Sequence, residues 1–167
     1  MLAFAGMLEG KRVTWFPSYG AEMRGGTANC TIIIADTMIG SPVVLNPDIL
    51  VVMNKASLDK FQPRLKSKGL LFYDSSLVKN PNVRDDVVSV SVPATKIASA
   101  LGNMKSANMV MLGALISQTH LLRKSSIAKI FENTSGRMRD TGSKNNTHSI
   151  LEGLKYIDHS KSQDRRP

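Results

Sequence analysis

The chain is expected to fold as an α/β protein, a three-layer α/β/α sandwich around a mostly parallel central sheet. Three observations predict it. Short apolar runs bounded by turn residues alternate with helical patterns along the chain. Two of those runs, "NCTIIIA" (Asn29–Ala35) and "ILVVMN" (Ile49–Asn54), are dense in β-branched residues and apolar on both faces, as strands of a covered sheet are. The 167 residues are 42% hydrophobic and 21% charged, a balance that supports one globular core and not a disordered chain. A single domain over residues 1–157, followed by a disordered basic tail over 158–167, is the expected organisation.

Each element follows from local chemistry. Leu2, Ala5 and Leu8 fall on one helical face, and Gly10 stops that helix. Arg12–Phe16 reads as a short strand, followed by the two apolar strands. Ser57–Leu65 reads as a helix with Ser57 as N-cap and Pro63 limiting its end. "LLFYD" (Leu70–Asp74) is a fourth strand. "VVSVSV" (Val87–Val92) is a fifth, and its serine–valine alternation places it half exposed, near an edge. Pro93 opens a helix that Gly102–Asn103 ends. A long helix over Ser106–Leu122 is too continuously apolar to face water and is expected to be buried around most of its circumference. Ser126–Asn133 reads as a further helix, "NTSGRMRDTGSKNN" as a basic loop, and Thr147–Tyr156 as the last helix. A parallel α/β domain ordinarily begins with a strand feeding its first helix. This chain begins inside the helix, so the usual first strand is expected to be missing from the sheet.

Composition removes several classes of function. No apolar run approaches the ~18 residues of a membrane span. "MLAFAGMLEGK" lacks the basic start and small-residue cleavage site of a signal peptide, which favours a cytoplasmic chain. The single cysteine, Cys30, leaves no internal disulfide and no CxxC metal or cluster motif. The net charge of +9 divides into twelve Lys/Arg against eight Asp/Glu before His120, and ten against five from there on. No aromatic-lined basic stripe or nucleic-acid motif accompanies it, so a solvated basic surface or a docking face for an acidic partner is the better reading. His120, His148 and His159 have no metal-ligand spacing, and adjacent Asp85 and Asp86 suit a turn or strand entry better than paired acid/base work. No catalytic residue and no metal ligand is assigned.

The stretch "WFPSYGAEMRGGTANC" (Trp15–Cys30) carries the most chemistry. Arg24 stands directly before Gly25 and Gly26, between two predicted strands. The glycines allow positive φ and close approach of a ligand, the guanidinium offers a forked cation, and neighbouring N–H groups could form an anion-binding nest. The same residues equally suit a tight turn whose arginine pairs with a carboxylate in this domain or across an interface.

Seven segments taken in order carry a family resemblance: "VTWFPSYGAEMRGGTANC", "IGSPVV", "PDILVVMN", "GLLFYDSSLV", "VPATKIA", "LGN" and "ANMVMLGAL". Together they resemble the gamma subunit of 2-oxoacid:ferredoxin oxidoreductases, above all the 2-oxoglutarate type, from Leu2 to Leu122. "NNTHSILEGLKYI" is similar to the family's weaker C-terminal helix. The resemblance implies a complex that oxidatively decarboxylates a 2-oxoacid with coenzyme A and reduces ferredoxin. It places thiamine diphosphate, magnesium and iron–sulfur clusters in partner alpha, beta and ferredoxin-like delta subunits. It makes Tyr19, Arg24, Gly25, Gly26 and Thr27 the residues expected on the coenzyme A side. It also implies that this subunit is inactive alone, and an isolated chain is expected to self-associate or to bind its partners. An alternative is an assembly subunit that touches neither substrate nor cofactor. Family members begin with a strand and a turn similar to "GxGGQG"; Met1 falls after both, so either the start of the sequence is misassigned or the strand and turn are missing.

Overall fold

The computed structural model describes residues 1–18, 28–126, 129–130 and 141–163. Helix α1 (Leu2–Leu8) leads through Gly10, at φ +74°, into strand β1 (Arg12–Ser18). Strands β2 (Asn29–Ala35) and β3 (Ile49–Val52) follow, then helix α2 (Lys55–Phe61), β4 (Leu70–Asp74) and β5 (Val88–Val92). Among the described residues that follow are helices α3 (Ala94–Ala100), α4 (Ala107–Thr119) and a long α5 (Thr141–Gln163). All five expected strands form, and β2 and β4 have the expected bounds.

The expected single sheet is two sheets. β1 and β2 form an antiparallel pair, with Val13 opposite Ile34 and Ser18 opposite Asn29. β3, β4 and β5 form a parallel sheet in that order, so the half-exposed β5 lies at an edge as its alternation requires. Side chains of the parallel sheet alternate between two cores. Phe72 and Val92 point into the larger one, with Ala94, Ala98, Val110, Met111, Ala114 and Ile150 from α3, α4 and α5. Val52 and Leu71 point into the smaller one, with Leu58, Leu65 and Val78. Helices therefore cover both faces of this sheet. The β1–β2 pair joins the larger core through Ala5 of α1 and Ile34 of β2, by side-chain packing and not by a strand ladder.

Three helix expectations change. The N-cap of α2 is Asn54 and not Ser57, because the Asn54 side chain accepts from Ser57 N at 2.8 Å and starts the helix earlier. Pro63 then tightens the chain into a 3₁₀ turn over Gln62–Arg64. The last helix begins at Thr141, and it runs to Gln163 through six of the ten residues expected to be a disordered tail. Asp158 anchors that extension, accepting from Ser117 Oγ and from Lys124 Nζ at 2.8 Å. The expected helix over Ser126–Asn133 falls mostly outside the described residues.

α4 is buried along its length, chiefly against α5. Ser106 meets Ser149 and Ser117 meets Asp158, so the two helices run parallel. Glycines set the contact: a Cβ at Gly153 would lie 2.0 Å from Val110 O, and one at Gly113 would lie 2.2 Å from Ile150 O. His120, at φ +51°, ends α4 with its N–H on Ile116 O at 3.0 Å. That exposed, left-handed cap is a structural role for the histidine.

Candidate functional site

Open α/β sheets place ligands outside the carboxyl ends of their parallel strands. Here the protein's own groups close that end. Asp74, the last residue of β4, is fully buried. Its Oδ1 accepts from Ser76 N at 2.9 Å, and its Oδ2 accepts from Thr95 N at 3.1 Å and from Thr95 Oγ1. Ser76 Oγ accepts from Lys96 N at 3.0 Å. Two of the free N–H groups at the start of α3, those of Thr95 and Lys96, are thus satisfied from within. Asp74 is a tie between the β4 turn and α3. Sequence reasoning missed it, although an acid closing an apolar strand just before "SS" is a visible signal.

The carboxylates and histidines assemble no catalytic set. Asp86 accepts from the forked Arg84, which also donates to the carbonyls of Gln62 (3.1 Å) and Leu65 (2.8 Å). That arginine first of all holds the Asp86 carboxyl below its usual range. The pair fixes the entry to β5, the turn role expected of Asp85–Asp86. Glu9 is likewise held below the usual range, first by the Ser126 hydroxyl and then by the Arg123 N–H at 2.7 Å. It fastens α1 to the chain beyond α4. His148 lies 3.9 Å from Glu152, and His159 Nδ1 lies 2.8 Å from Lys155 O, both on exposed α5 surface. Among the described residues no group of three His, Cys, Asp or Glu could hold a metal ion.

The remaining candidate is the β1–β2 pair. Its register brings Ser18 opposite Asn29, so residues 19–28 join the two paired ends. The expected site residues Tyr19, Arg24, Gly25, Gly26 and Thr27 all belong to that connection and lie outside the described residues. What leads to them is described. Trp15 is 58% exposed, and Phe16 and Cys30 are exposed beside it. On the opposite face from Val13, Thr14 Oγ1 is buried without a hydrogen-bond partner among the described residues. On α1, Phe4, Met7 and Leu8 also face solvent. Exposed aromatic and apolar groups thus gather on this strand–helix unit.

A family profile described as pyruvate ferredoxin/flavodoxin oxidoreductase matches residues 1–156. The chain belongs to this family. It is 35% identical over 127 residues to the 2-oxoglutarate synthase subunit KorC of Methanocaldococcus jannaschii, covering 75% of this chain and 68% of that one. It is 40% identical over 116 residues to the ketoisovalerate oxidoreductase subunit VorA of Methanothermobacter thermautotrophicus, covering 70% of this chain but only 24% of VorA. The chain thus spans about a quarter of the length of that relative. A crystal structure of the keto/oxoacid ferredoxin oxidoreductase gamma subunit from Geobacter sulfurreducens matches with a TM-score of 0.74 at 26% identity, covering 93% of this chain and 86% of that one. The gamma-type resemblance of the seven segments therefore holds for sequence and for fold. No helix among the described residues is long and apolar enough to cross a membrane.

Proposed function

We propose that this chain is the gamma subunit of a cytoplasmic 2-oxoacid:ferredoxin oxidoreductase, acting on 2-oxoglutarate, and that it serves assembly and the coenzyme A side of the reaction. The observation that carries the reading is the family match over residues 1–156, together with a β1–β2 pair whose exposed aromatics lead into the Arg24 connection. Thiamine diphosphate with its magnesium ion, held by the alpha and beta subunits, supplies the decarboxylation chemistry when bound. Iron–sulfur clusters of the delta subunit carry electrons to ferredoxin. This chain's own contribution is binding and orientation. Arg24 would present a permanent forked cation to a coenzyme A phosphate, with the backbone of Gly25, Gly26 and Thr27 free to approach it and Tyr19 beside it. The choice of 2-oxoglutarate follows the seven-segment resemblance and the KorC relatives, with VorA marking ketoisovalerate as the competing substrate.

The test is Arg24→Lys and Arg24→Ala in the reconstituted complex, reading coenzyme A KM and subunit dissociation together. Loss of a charge-assisted contact to coenzyme A, about 1.5–3 kcal/mol, should raise KM roughly 10- to 150-fold while the complex stays assembled. Subunit dissociation at unchanged KM would move Arg24 to a partner's carboxylate and leave a purely assembling subunit. No change in either quantity would remove the loop from function altogether. The chain alone, supplied with thiamine diphosphate, magnesium, coenzyme A and a 2-oxoacid, should reduce no acceptor; turnover would overturn the subunit reading.

A further inference from the structure

Residues 1–35 form a unit closed on itself. β1 and β2 pair over seven positions, from Arg12 opposite Ala35 to Ser18 opposite Asn29. α1 lies against that ribbon: a Cβ at Gly6 would sit 2.9 Å from Val13 Cγ2 and 3.5 Å from Ile34 Cδ1. The turn between them is tied within the unit, Gly10 N donating to Met7 O and Lys11 N to Gly6 O, each at 3.0 Å. A two-stranded ribbon is marginal alone, and a packed helix supplies what it lacks. The joint to the rest of the domain is of another kind. No strand ladder crosses it among the described residues. Leu2, Ala5 and Ile34 reach the larger core, and Glu9 reaches Arg123 N and the Ser126 hydroxyl. Apolar contact is non-directional, and a largely solvated carboxylate clasp is weak.

The chain between β2 and β3 is fastened to both sides of that joint. Asp36 pairs with Lys11 of the unit at 2.6 Å. At the other end Arg64 donates to Val44 O at 3.0 Å and to Leu45 O at 2.9 Å, and Lys66 N donates to Pro47 O at 3.1 Å. Residues 37–43 lie between these anchors. Among the described residues they bond to neither side; Val43 N donates to Ser41 Oγ, within the segment, at 3.1 Å. Met38 there is 89% exposed. A short segment bonded to neither body absorbs backbone rotation at little cost, which is what a hinge requires. We propose that residues 1–35 swing as one body on a hinge at 37–43, latched by the contacts of Leu2, Ala5 and Ile34 and by the Glu9 clasp. The end of the unit at Ser18 and Asn29 anchors residues 19–28, so the swing decides where that connection is presented. The inference does not rest on the gamma-subunit reading.

The experiment reads the joint by thiol labelling of the full chain carrying Cys30→Ser. Ala5→Cys places a thiol at the joint and Val78→Cys places one in the smaller core, both native side chains being fully buried. A reagent reaches position 5 when the unit swings out, and position 78 only when the parallel sheet opens. The opening constant at position 5 should exceed that at position 78 at least about 10-fold, with a smaller urea slope, because a swing exposes less surface than unfolding. Leu58→Val, which deletes a methylene from the smaller core, should speed labelling at position 78 about 5-fold and leave position 5 within about 2-fold. Leu2→Ala should speed labelling at position 5 about 5-fold. Backbone amides of residues 2–18 should stay protected while position 5 reacts, since their bonds lie within the unit. Should Ala5→Cys not fold, hydrogen exchange of the Arg123 amide, which Glu9 holds across the joint, reads the same opening. Equal opening constants and urea slopes at positions 5 and 78 overturn the proposal, because the joint then opens only with the whole domain. Amides of residues 2–18 that exchange in step with position 5 overturn it too, because α1 then melts in place.

Discussion

The two sheets of this molecule are finished to different degrees. In the parallel sheet Val52, Leu71, Phe72 and Val92 are all fully buried, with helices on either side. In the antiparallel pair no residue of β1 or β2 is fully buried, although "NCTIIIA" is as apolar as "LLFYD". Equal apolarity therefore has different destinations. One sheet spends it on the chain's own core, and the other keeps much of it for a surface that another protein is expected to cover. β3 lies between these regimes: among the described residues it pairs only with β4, and Val51 on its larger-core face is 41% exposed. An unpaired strand edge and open apolar surface both favour association.

The contrast is sharpest at glycines. Gly153→Ala drives a methyl group into the Val110 carbonyl, where only separation of α4 from α5 can relieve it. Urea unfolding should show a loss of about 3 kcal/mol or more, the upper range for overpacking. Gly6→Ala, in the open region, meets the Val13 Cγ2 methyl at 2.9 Å. A side chain beside an incompletely covered sheet has room to turn, so the loss should be about 1 kcal/mol. Equal losses would break the comparison.

Next in size is Asp74→Ala, which strands the N–H groups of Ser76 and Thr95 at a buried position. A loss of about 2–3 kcal/mol in the same assay is expected, with Asp74→Asn milder because one acceptor oxygen remains. Substitutions in the open region should do the opposite. Trp15→Ser and Phe16→Ser should change the unfolding free energy by only about 0.5 kcal/mol yet reduce self-association of the isolated chain. Light-scattering mass measurements check this, and a wild-type chain that stays monomeric at high concentration would count against an uncovered partner surface.

The smallest effect is a pH dependence. The folded pKa of Glu9 is depressed, first by the Ser126 hydroxyl. The folded state therefore binds its proton less readily than the unfolded state, and the contribution is fully present above the unfolded value near 4.5. It is lost as pH falls through the folded value. Being largely solvated, the contact should contribute only about 0.5 kcal/mol. Glu9→Gln should therefore be about 0.5 kcal/mol less stable than wild type at neutral pH, match it at low pH, and show a flatter acid limb between the two.

Strand positions were legible because β-branched runs and turn residues act locally. The division into two sheets was not, since pairing depends on which distant strands meet, and nothing in "NCTIIIA" or "ILVVMN" records that they fail to pair. α5 was underestimated for a related reason. "DHSKSQ" has the composition of a tail, but Asp158 is held by Ser117 and Lys124, partners 41 and 34 residues away. The Asn54 cap was missed by choosing the nearer serine. In the candidate site, the glycine–arginine connection stood out by composition. Arg84 did not, because a cation bound to carbonyls across a fold leaves no mark in sequence spacing.

The parallel alignment of α4 and α5 also has a consequence in time. Ser106 and Ser149 are 43 residues apart, so α4 is synthesised well before the helix that covers it. Through that interval the apolar face of α4 has no cover, and the larger core cannot close on the ribosome until α5 has emerged. At roughly 5–20 residues per second the delay is a few seconds. During those seconds the smaller core around Leu58, Leu71 and Val78 already has all its parts. The nascent chain thus has a waiting period in which a chaperone would find α4 exposed.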